Sequence, residues 1–304
     1  MKDILLIGKM GQVGQELQRT LIPIGSMASV GHESLDLSQA DLIRQMIRDV
    51  QPKLIINAAA YTAVDKAESE PDLAAAINAK APIVMAEEAQ RIGASLIHIS
   101  TDYVFDGHKN TPYLENDVPN PTSVYGKTKL AGEAGILQVY AQSSEIPYAI
   151  LRTAWVYGTQ GKGNFAKTML RLGAERDEVR VVADQVGSPT WASDIAQAIA
   201  TLSTHFLSPL EKEIPSGIYH FTNSGVASWY DFAVAIFEEA KALGVSLKCD
   251  RVVPITTQDY PTPATRPAYS VLSCQRISTV LEAFPVHWRQ ALRQMLTEFY
   301  SSPS

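Results

Sequence analysis

The start of the chain constrains its fold most. Asp3–Ile7 (DILLI) reads as a strand built on an unbroken apolar run, and it passes directly into Gly8-Lys9-Met10-Gly11-Gln12-Val13-Gly14. A helical pattern over Gln12–Leu21 follows. A strand that is apolar along its length has to be covered on both faces, as in a parallel sheet held between helices. Glycines at the first strand-to-helix turn allow a tight bend and let backbone N–H groups approach a pyrophosphate at the helix N-terminus. The spacing is GxxGxxG, not the GxGxxG of the usual dinucleotide fingerprint. Its position at the first turn makes Gly8, Gly11 and Gly14 candidate cofactor-loop residues.

The rhythm continues through the first half. Met27–Val30 is a second strand, and Asp41–Val50 carries Leu42, Ile43, Met46, Ile47 and Val50 at helical spacing. Leu54–Asn57 (LIIN) is a third strand, and one helix is expected from Pro71 to about Arg91. Ser95–Ser100 (SLIHIS), a helix over Val124–Tyr140 and Tyr148–Arg152 (YAILR) complete the alternation. Strands alternating with helices imply a parallel sheet with right-handed crossovers. After Thr153 the pattern loosens. Helices are expected at Phe165–Gly173, Ser193–Thr204, Trp229–Leu243 and Trp288–Phe299, and strands at Val179–Val182 and Ile218–Phe221. The prolines between Pro254 and Pro267 read as loop or linker. The expected fold class is α/β: a Rossmann-type doubly wound parallel sheet with a smaller C-terminal α/β substrate lobe. Residues 1–153, with returning segments, would form the NAD(P)-binding core, and 154–304 mainly the substrate lobe.

Composition narrows the task. With 46% apolar and 19% charged residues among 304, the chain has the means to bury a large core and does not read as disordered. Lys and Arg number 26 against 32 Asp and Glu, a net charge of −6. That leaves no dense basic footprint for nucleic acid or anionic lipid. No stretch reaches the roughly 18 apolar residues of a membrane span. The apolar start is shorter than the roughly 7–15 residues of a signal-peptide core, so a cytoplasmic location is expected. Cys249 and Cys274 have no CxxC or His neighbour at metal spacing and read as free thiols.

The sharpest chemical signal is Tyr125-Gly126-Lys127-Thr128-Lys129. On a helix, residues four apart share a face, so Tyr125 and Lys129 stack one turn apart. An ammonium beside a phenol favours the phenolate and lowers its pKa. Such a pair is an acid able to protonate an alkoxide as hydride arrives. The fourth strand ends in Ser100-Thr101-Asp102-Tyr103, and ligands of open α/β sheets bind beyond the carboxyl ends of the strands. A hydroxyl there, Thr101 or its neighbour Ser100, would hold a reacting carbonyl oxygen. The third strand ends in Asn57-Ala58-Ala59-Ala60-Tyr61-Thr62, whose small residues would let a cofactor lie across the edge. The second strand ends in Val30-Gly31-His32-Glu33, with neither an Asp for ribose hydroxyls nor an Arg for a 2′-phosphate at its tip. Asp36 either touches the adenosine or starts the next helix. The cofactor is therefore NADPH or NADH.

Together these pieces resemble the extended short-chain dehydrogenases/reductases and, more narrowly, the dTDP-4-dehydrorhamnose reductase family. The matching stretches are GKMGQVGQELQ, NAAAYTAVDKAESEP, STDYVFDG, VYGKTKLAGE, RTAWVYG, GNFAKTMLRL, DQVGSPT and YPTPATRP, in family order over nearly the whole chain. The resemblance implies NAD(P)H-dependent reduction of the C4 keto group of dTDP-4-dehydro-β-L-rhamnose. It implies Thr101, Tyr125 and Lys129 as catalytic residues and Gly11, Gln12 and Val13 as the pyrophosphate loop. It places Asp36 and Leu37 on the adenosine side, and Ala60, Tyr61 and Thr62 beside the nicotinamide nucleotide. Asp102, Tyr103 and Trp155 fall at substrate-facing positions.

Related sugar-nucleotide 4,6-dehydratases carry Thr-Asp-Glu where this chain has Thr101-Asp102-Tyr103. Without that Glu, elimination lacks its base, and reduction is favoured. Other nucleotide-sugar reductases or epimerases, and a non-catalytic regulatory subunit of the same fold, are the rival readings. Some members of the family dimerise around Mg²⁺ held by three glutamates. Glu16 and Glu298 match two of these, but the third position is Ser193. A lost carboxylate weakens a site for a hard cation. No required metal is expected, and the chain is expected to act as a monomer or homodimer on a nucleotide sugar.

Overall fold

The structure, a computed structural model, describes residues 2–142, 146–208 and 214–301. Strand β1 (Ile4–Ile7) runs into helix α1 (Gln12–Thr20), followed by β2 (Met27–Val30), α2 (Ala40–Val50) and β3 (Leu54–Asn57). Two short helices, α3 (Val64–Ala67) and α4 (Pro71–Ala75), lead through a π-helical turn to α5 (Ala81–Ile92). Then come β4 (Ser95–Thr101), α6 (Val124–Tyr140) and β5 (Tyr148–Thr153). The second half contributes β6 (Val156–Tyr157), α7 (Phe165–Glu175), β7 (Glu178–Val182), β8 (Val186–Gly187), β9 (Thr190–Trp191) and α8 (Ala192–Leu207). It ends with β10 (Gly217–His220), β11 (Ala227–Ser228), α9 (Trp229–Ala242), β12 (Arg251–Ile255), α10 (Gln275–Leu281) and α11 (Trp288–Ser301). Among the described residues no helix is long and apolar enough to cross a membrane.

The main sheet is six-stranded in the order β10-β5-β4-β3-β1-β2, with every pair parallel. The alternation of side chains along each strand divides the core into two layers. Ile4, Leu6, Leu54 and Ile56 face Val13 and Leu17 of α1 and Ile195 and Ile199 of α8. Leu5, Ile7, Ile55 and Leu96 face Ile43 and Ile47 of α2, Val84 and Met85 of α5, and Ile136 of α6. Full burial of each such side chain stabilises by roughly 1.5–3 kcal/mol. The chain leaves β1 for β2 on one side and returns for β3 on the other. The strand order therefore reverses between β1 and β3, where doubly wound sheets open a ligand crevice.

The second half is not a separate body. Helix α8, strand β10 and Ile277 of α10 belong to the core of the main sheet. The remaining elements gather a core of their own from α7, β7, α9 and α11, around Phe232, Ile236, Trp288 and Leu292.

Two regions differ from the sequence reading. The single helix expected over Pro71–Arg91 is broken by the π turn Ala76–Lys80. Pro82 has no N–H to bond the carbonyl four residues back, so the ladder is redrawn just before it. The wide turn carries Asn78, which clamps the Tyr61 peptide. Its Oδ1 accepts from Tyr61 N (2.8 Å), and its Nδ2 donates to Tyr61 O (3.1 Å) and to Thr128 Oγ1 (3.2 Å). The proline-rich stretch starts inside a strand, because Pro254 lies in β12 and pairs with β7 in a two-stranded sheet. A two-stranded ribbon is all edge, so a residue without an N–H is tolerated there.

Candidate active site

A cleft of about 600 Å³ opens at the carboxyl ends of β1, β3 and β4. Its rim is the glycine loop. Gly8 adopts φ +96°, and a Cβ there would lie 2.7 Å from Ala59 N. Only glycine allows both the turn and the close passage of the two strand ends. Gly11 precedes α1 as its N-cap with no side chain over it, so the first N–H groups of the helix face the cleft unscreened. Gly14 lies one turn in, against the Gly8 carbonyl, and does not line the cleft. Gln12 ties the loop to the second half. Its Nε2 donates to Val156 O (3.3 Å), and its Oε1 accepts from Asn164 Nδ2 (2.8 Å). These features fit a dinucleotide phosphate.

The other expected residues divide. Gly8, Gly11, Gln12, Val13, Ala60, Thr62, Thr101, Asp102, Tyr103, Tyr125, Lys129 and Trp155 all line the cleft. Tyr61 stands behind it, its hydroxyl donating to Glu70 Oε2 (2.7 Å). Asp36 and Leu37 lie outside the lining. The Asp36 carboxylate accepts from Ser38 N and Oγ (2.9 and 2.8 Å), and Leu37 is buried against the main sheet. Ala58 and Ala59, from the small-residue run expected to let a cofactor cross the edge, line it too, as do Gly31, His32, Ile99, Thr153 and the loop 161–163, to which no role was given. Most are small or apolar and carry no chemical signature, but His32 next to Gly31 at the tip of β2 was a visible polar exception.

The floor holds the chemistry. Ser123 caps α6, its Oγ accepting from Gly126 N (3.1 Å). A Cβ on Gly126 would come 2.2 Å from Tyr103 O, so this glycine lets α6 dock against the turn after β4. That contact brings Tyr125 to Thr101. The Thr101 hydroxyl donates to Asp102 Oδ1 (3.0 Å) and accepts from Tyr103 N (3.2 Å). The Tyr103 and Tyr125 rings meet edge to face with centroids 5.4 Å apart. Trp155, at the left-handed φ of +47°, lies flat on Trp229, centroids 3.5 Å apart. A bulky residue in this backbone region is strained, and such strain gathers at binding sites.

The electrostatics depart from the simple Tyr/Lys picture. Burial, opposed by a hydrogen bond with Thr101 and reinforced by the Asp102 charge, pushes the Tyr125 phenol up to about 12. Burial lowers Lys129 to about 8, with Glu133 opposing. The Lys129 amine is engaged below the floor, donating to Ile99 O (2.7 Å) and lying 3.2 Å from His98 Nε2. Desolvation, which helical spacing does not reveal, thus outweighs the expected lowering of Tyr125. Burial also raises Asp102 to about 6, against the hydroxyls of Ser270 and Thr101.

A second cavity of about 780 Å³ adjoins the first across the Trp155–Trp229 stack. Arg171, Arg176, Arg180 and Arg266 line it, with Phe165 and Trp229 as aromatic walls. Sequence periodicity did not mark it, because its arginines come from α7 and the residue that ends it, from β7 and from the loop after β12.

The two glutamates at the metal positions come together around a guanidinium. Glu16, buried, pairs with Arg19 (2.5 Å), and Arg19 Nη1 lies 3.7 Å from Glu298 Oε1. Thr159 Oγ1 donates to that same Glu298 oxygen (3.2 Å). Burial and the charge of Glu298 raise Glu16, with Arg19 opposing. Ser193 stands in the first turn of α8 and supplies no charge. Among the described residues no group of three or more His, Cys, Asp or Glu could hold a metal. The donor set does not fit Mg²⁺, which asks for several hard oxygen ligands.

Comparison with known proteins agrees with this geometry. The RmlD substrate binding domain family matches residues 1–301. The dTDP-4-dehydrorhamnose reductase of Escherichia coli K12 is 42% identical over 99% of both chains. The crystal structure of dTDP-4-dehydrorhamnose reductase from Bacillus anthracis in complex with NADP is 36% identical, with a TM-score of 0.86 over 98% of this chain and 100% of that one. UDP-glucose 4-epimerase from Thermus thermophilus, complexed with NAD, is 20% identical with a TM-score of 0.79 over 99% of each chain, and shares the fold alone. A match over the whole length, with the glycine loop and the Thr101, Tyr125 and Lys129 set assembled in one cleft, places this chain in the dTDP-4-dehydrorhamnose reductase family.

Proposed function

We propose that the chain reduces the C4 keto group of dTDP-4-dehydro-β-L-rhamnose to give dTDP-β-L-rhamnose, with NADPH or NADH, in dTDP-rhamnose biosynthesis. One observation carries the reading: Thr101 and Tyr125 meet, with Lys129 one helical turn on, along a single cleft whose rim is the open N-terminus of α1. A bound NAD(P)H supplies the hydride. Gly8, Gly11, Gln12 and Val13 would hold its phosphates, and Ala60 and Thr62 would flank its nicotinamide end. Thr101 holds the carbonyl oxygen where charge develops. Tyr125, kept protonated by its burial, gives its proton to the emerging alkoxide. Lys129 stabilises the phenolate that remains and returns a proton to it. Asp102, Tyr103 and Trp155 face the sugar.

The arginine-lined cavity beyond Trp155 suits the diphosphate of a nucleotide sugar, with Phe165 and Trp229 for the flat base. On this reading the α7, β7, α9 and β12 region is the substrate lobe, and the main sheet with its returning segments is the cofactor core. We also propose a cytoplasmic location and action as a monomer or homodimer. The test is the loss of NAD(P)H absorbance with dTDP-4-keto-6-deoxy sugar. Rapid consumption supports the assignment. Cofactor binding without consumption would favour a non-catalytic role.

A further inference from the structure

Below the cleft floor, a line of buried polar groups runs from the glycine loop to Lys129. Ala59, whose N–H lies against Gly8, donates to Asn57 Oδ1 (3.1 Å). Asn57 Nδ2 lies 3.0 Å from His98 Nδ1, and His98 Nε2 lies 3.2 Å from Lys129 Nζ. Asn57 and His98 are register partners on β3 and β4, and each is 1% exposed. They interrupt an apolar layer made by Leu5, Ile7, Ile55 and Leu96. Two polar side chains in that place are retained only if their hydrogen bonds close.

The bonds have a direction. A backbone N–H can only donate, so the Asn57 oxygen faces Ala59 and its NH₂ faces His98. His98 Nδ1 must then accept. A neutral imidazole has one hydrogen, which is left on Nε2 and points at Lys129. His98 is held neutral, because burial and the Lys129 charge push its pKa well below the ordinary value. A charged Lys129 therefore meets a donor where it needs an acceptor, and a neutral Lys129 receives a hydrogen bond. The other groups around the pair do not reverse this. Tyr125 stands one turn before Lys129 on α6. Glu133, one turn after it, is bound to Arg152 of β5 (2.6 Å) and to Ser100 Oγ (2.5 Å). His220 on β10 faces Arg152 at 3.4 Å.

We propose that His98 is a positioning residue for proton delivery: locked by Asn57 in the tautomer with its hydrogen on Nε2, it donates to the neutral amine of Lys129 and stabilises the state left when Lys129 has passed its proton toward Tyr125. The step balances as one proton moving from the ammonium nitrogen to the phenolate oxygen, with no change at His98. This role rests on the proton-donor assignment of Tyr125 and Lys129. The tautomer and the titration of Lys129, however, are readable without turnover.

The experiment is NMR on the full chain labelled with ¹⁵N-histidine and ¹³C-lysine, with signals assigned through His98→Gln and Lys129→Arg. The wild-type ring should show a protonated Nε2 and a bare Nδ1. His98→Leu removes the donor, and the Lys129 midpoint should rise by about half a unit to one unit, a three- to tenfold change in its neutral fraction. The added apolar bulk acts in the opposite direction, so a rise cannot come from deeper burial. His98→Gln places an amide NH₂ near the lost Nε2 and should hold the midpoint near the wild-type value. A proton on Nδ1, a midpoint that stays or falls in His98→Leu, or an equal rise in both variants overturns the proposal. The wild-type tautomer is measured without any variant, so a misfolded mutant does not rescue the idea. Loss of reductase activity with these signals as expected would count against the functional reading and not against His98.

Discussion

Asp102→Asn separates stability from function at the cleft floor. Asp102 is 2% exposed, and burial raises its carboxyl from the ordinary 3.8 to about 6. A folded-state pKa above the unfolded value means that the ionised carboxylate destabilises the fold. Stability is greatest below the unfolded pKa and is lost as pH rises through the folded one. A rise of about two units corresponds to about 3 kcal/mol, reached above roughly pH 7. Asn keeps an oxygen to accept from Thr101 and never ionises, so it removes that cost. With about 2 cal/mol/K of unfolding entropy per residue, 3 kcal/mol in a chain of this length raises Tm by about 5 °C. The assay is thermal unfolding of wild type and variant side by side at about pH 8 and about pH 4. The gap should be near its full value at the higher pH and shrink to a small fraction at the lower. An equal gap at both pH values, or a variant less stable at the higher one, would refute the argument from burial.

Three further outcomes follow from the same site. Tyr125→Phe deletes the proton donor and leaves the ring in place, so kcat should fall about 10²–10⁴-fold while cofactor binding, followed by fluorescence quenching, stays near wild type. Lys129 is protonated below about 8 and neutral above it, whereas Tyr125 keeps its proton throughout, so kcat/KM should be level at lower pH and fall as pH rises through about 8. A level profile through pH 10 would remove Lys129 from the proton path. Because Arg19 already sits between Glu16 and Glu298, a chelator should change neither turnover nor the mass seen by light scattering, and metal-dependent dimerisation would contradict that view.

What was legible in the sequence was what local geometry encodes. The apolar run before Gly8, the alternation of strand and helix, and the four-residue step from Tyr125 to Lys129 each follow from backbone periodicity and survive translation into three dimensions. The π turn was missed, since the apolar pattern ran unbroken from Pro71 to about Arg91, and nothing in it showed that Asn78 would clamp Tyr61. Asn57 and His98 stood in plain view as polar residues inside apolar strands. Their meaning needed the register that sets them side by side.

Only the tertiary structure decided the electrostatics and the shape of the site. Spacing alone had Lys129 lowering Tyr125, whereas packing buries both groups, raises the phenol, lowers the amine and turns Lys129 toward His98. It also drew Arg171, Arg176, Arg180 and Arg266 into one cavity from distant segments and set Arg19 between two glutamates. Sequence periodicity reports which face of an element is apolar. The pKa of a group depends on every atom that excludes water from it, and those atoms come from parts of the chain that only folding brings together.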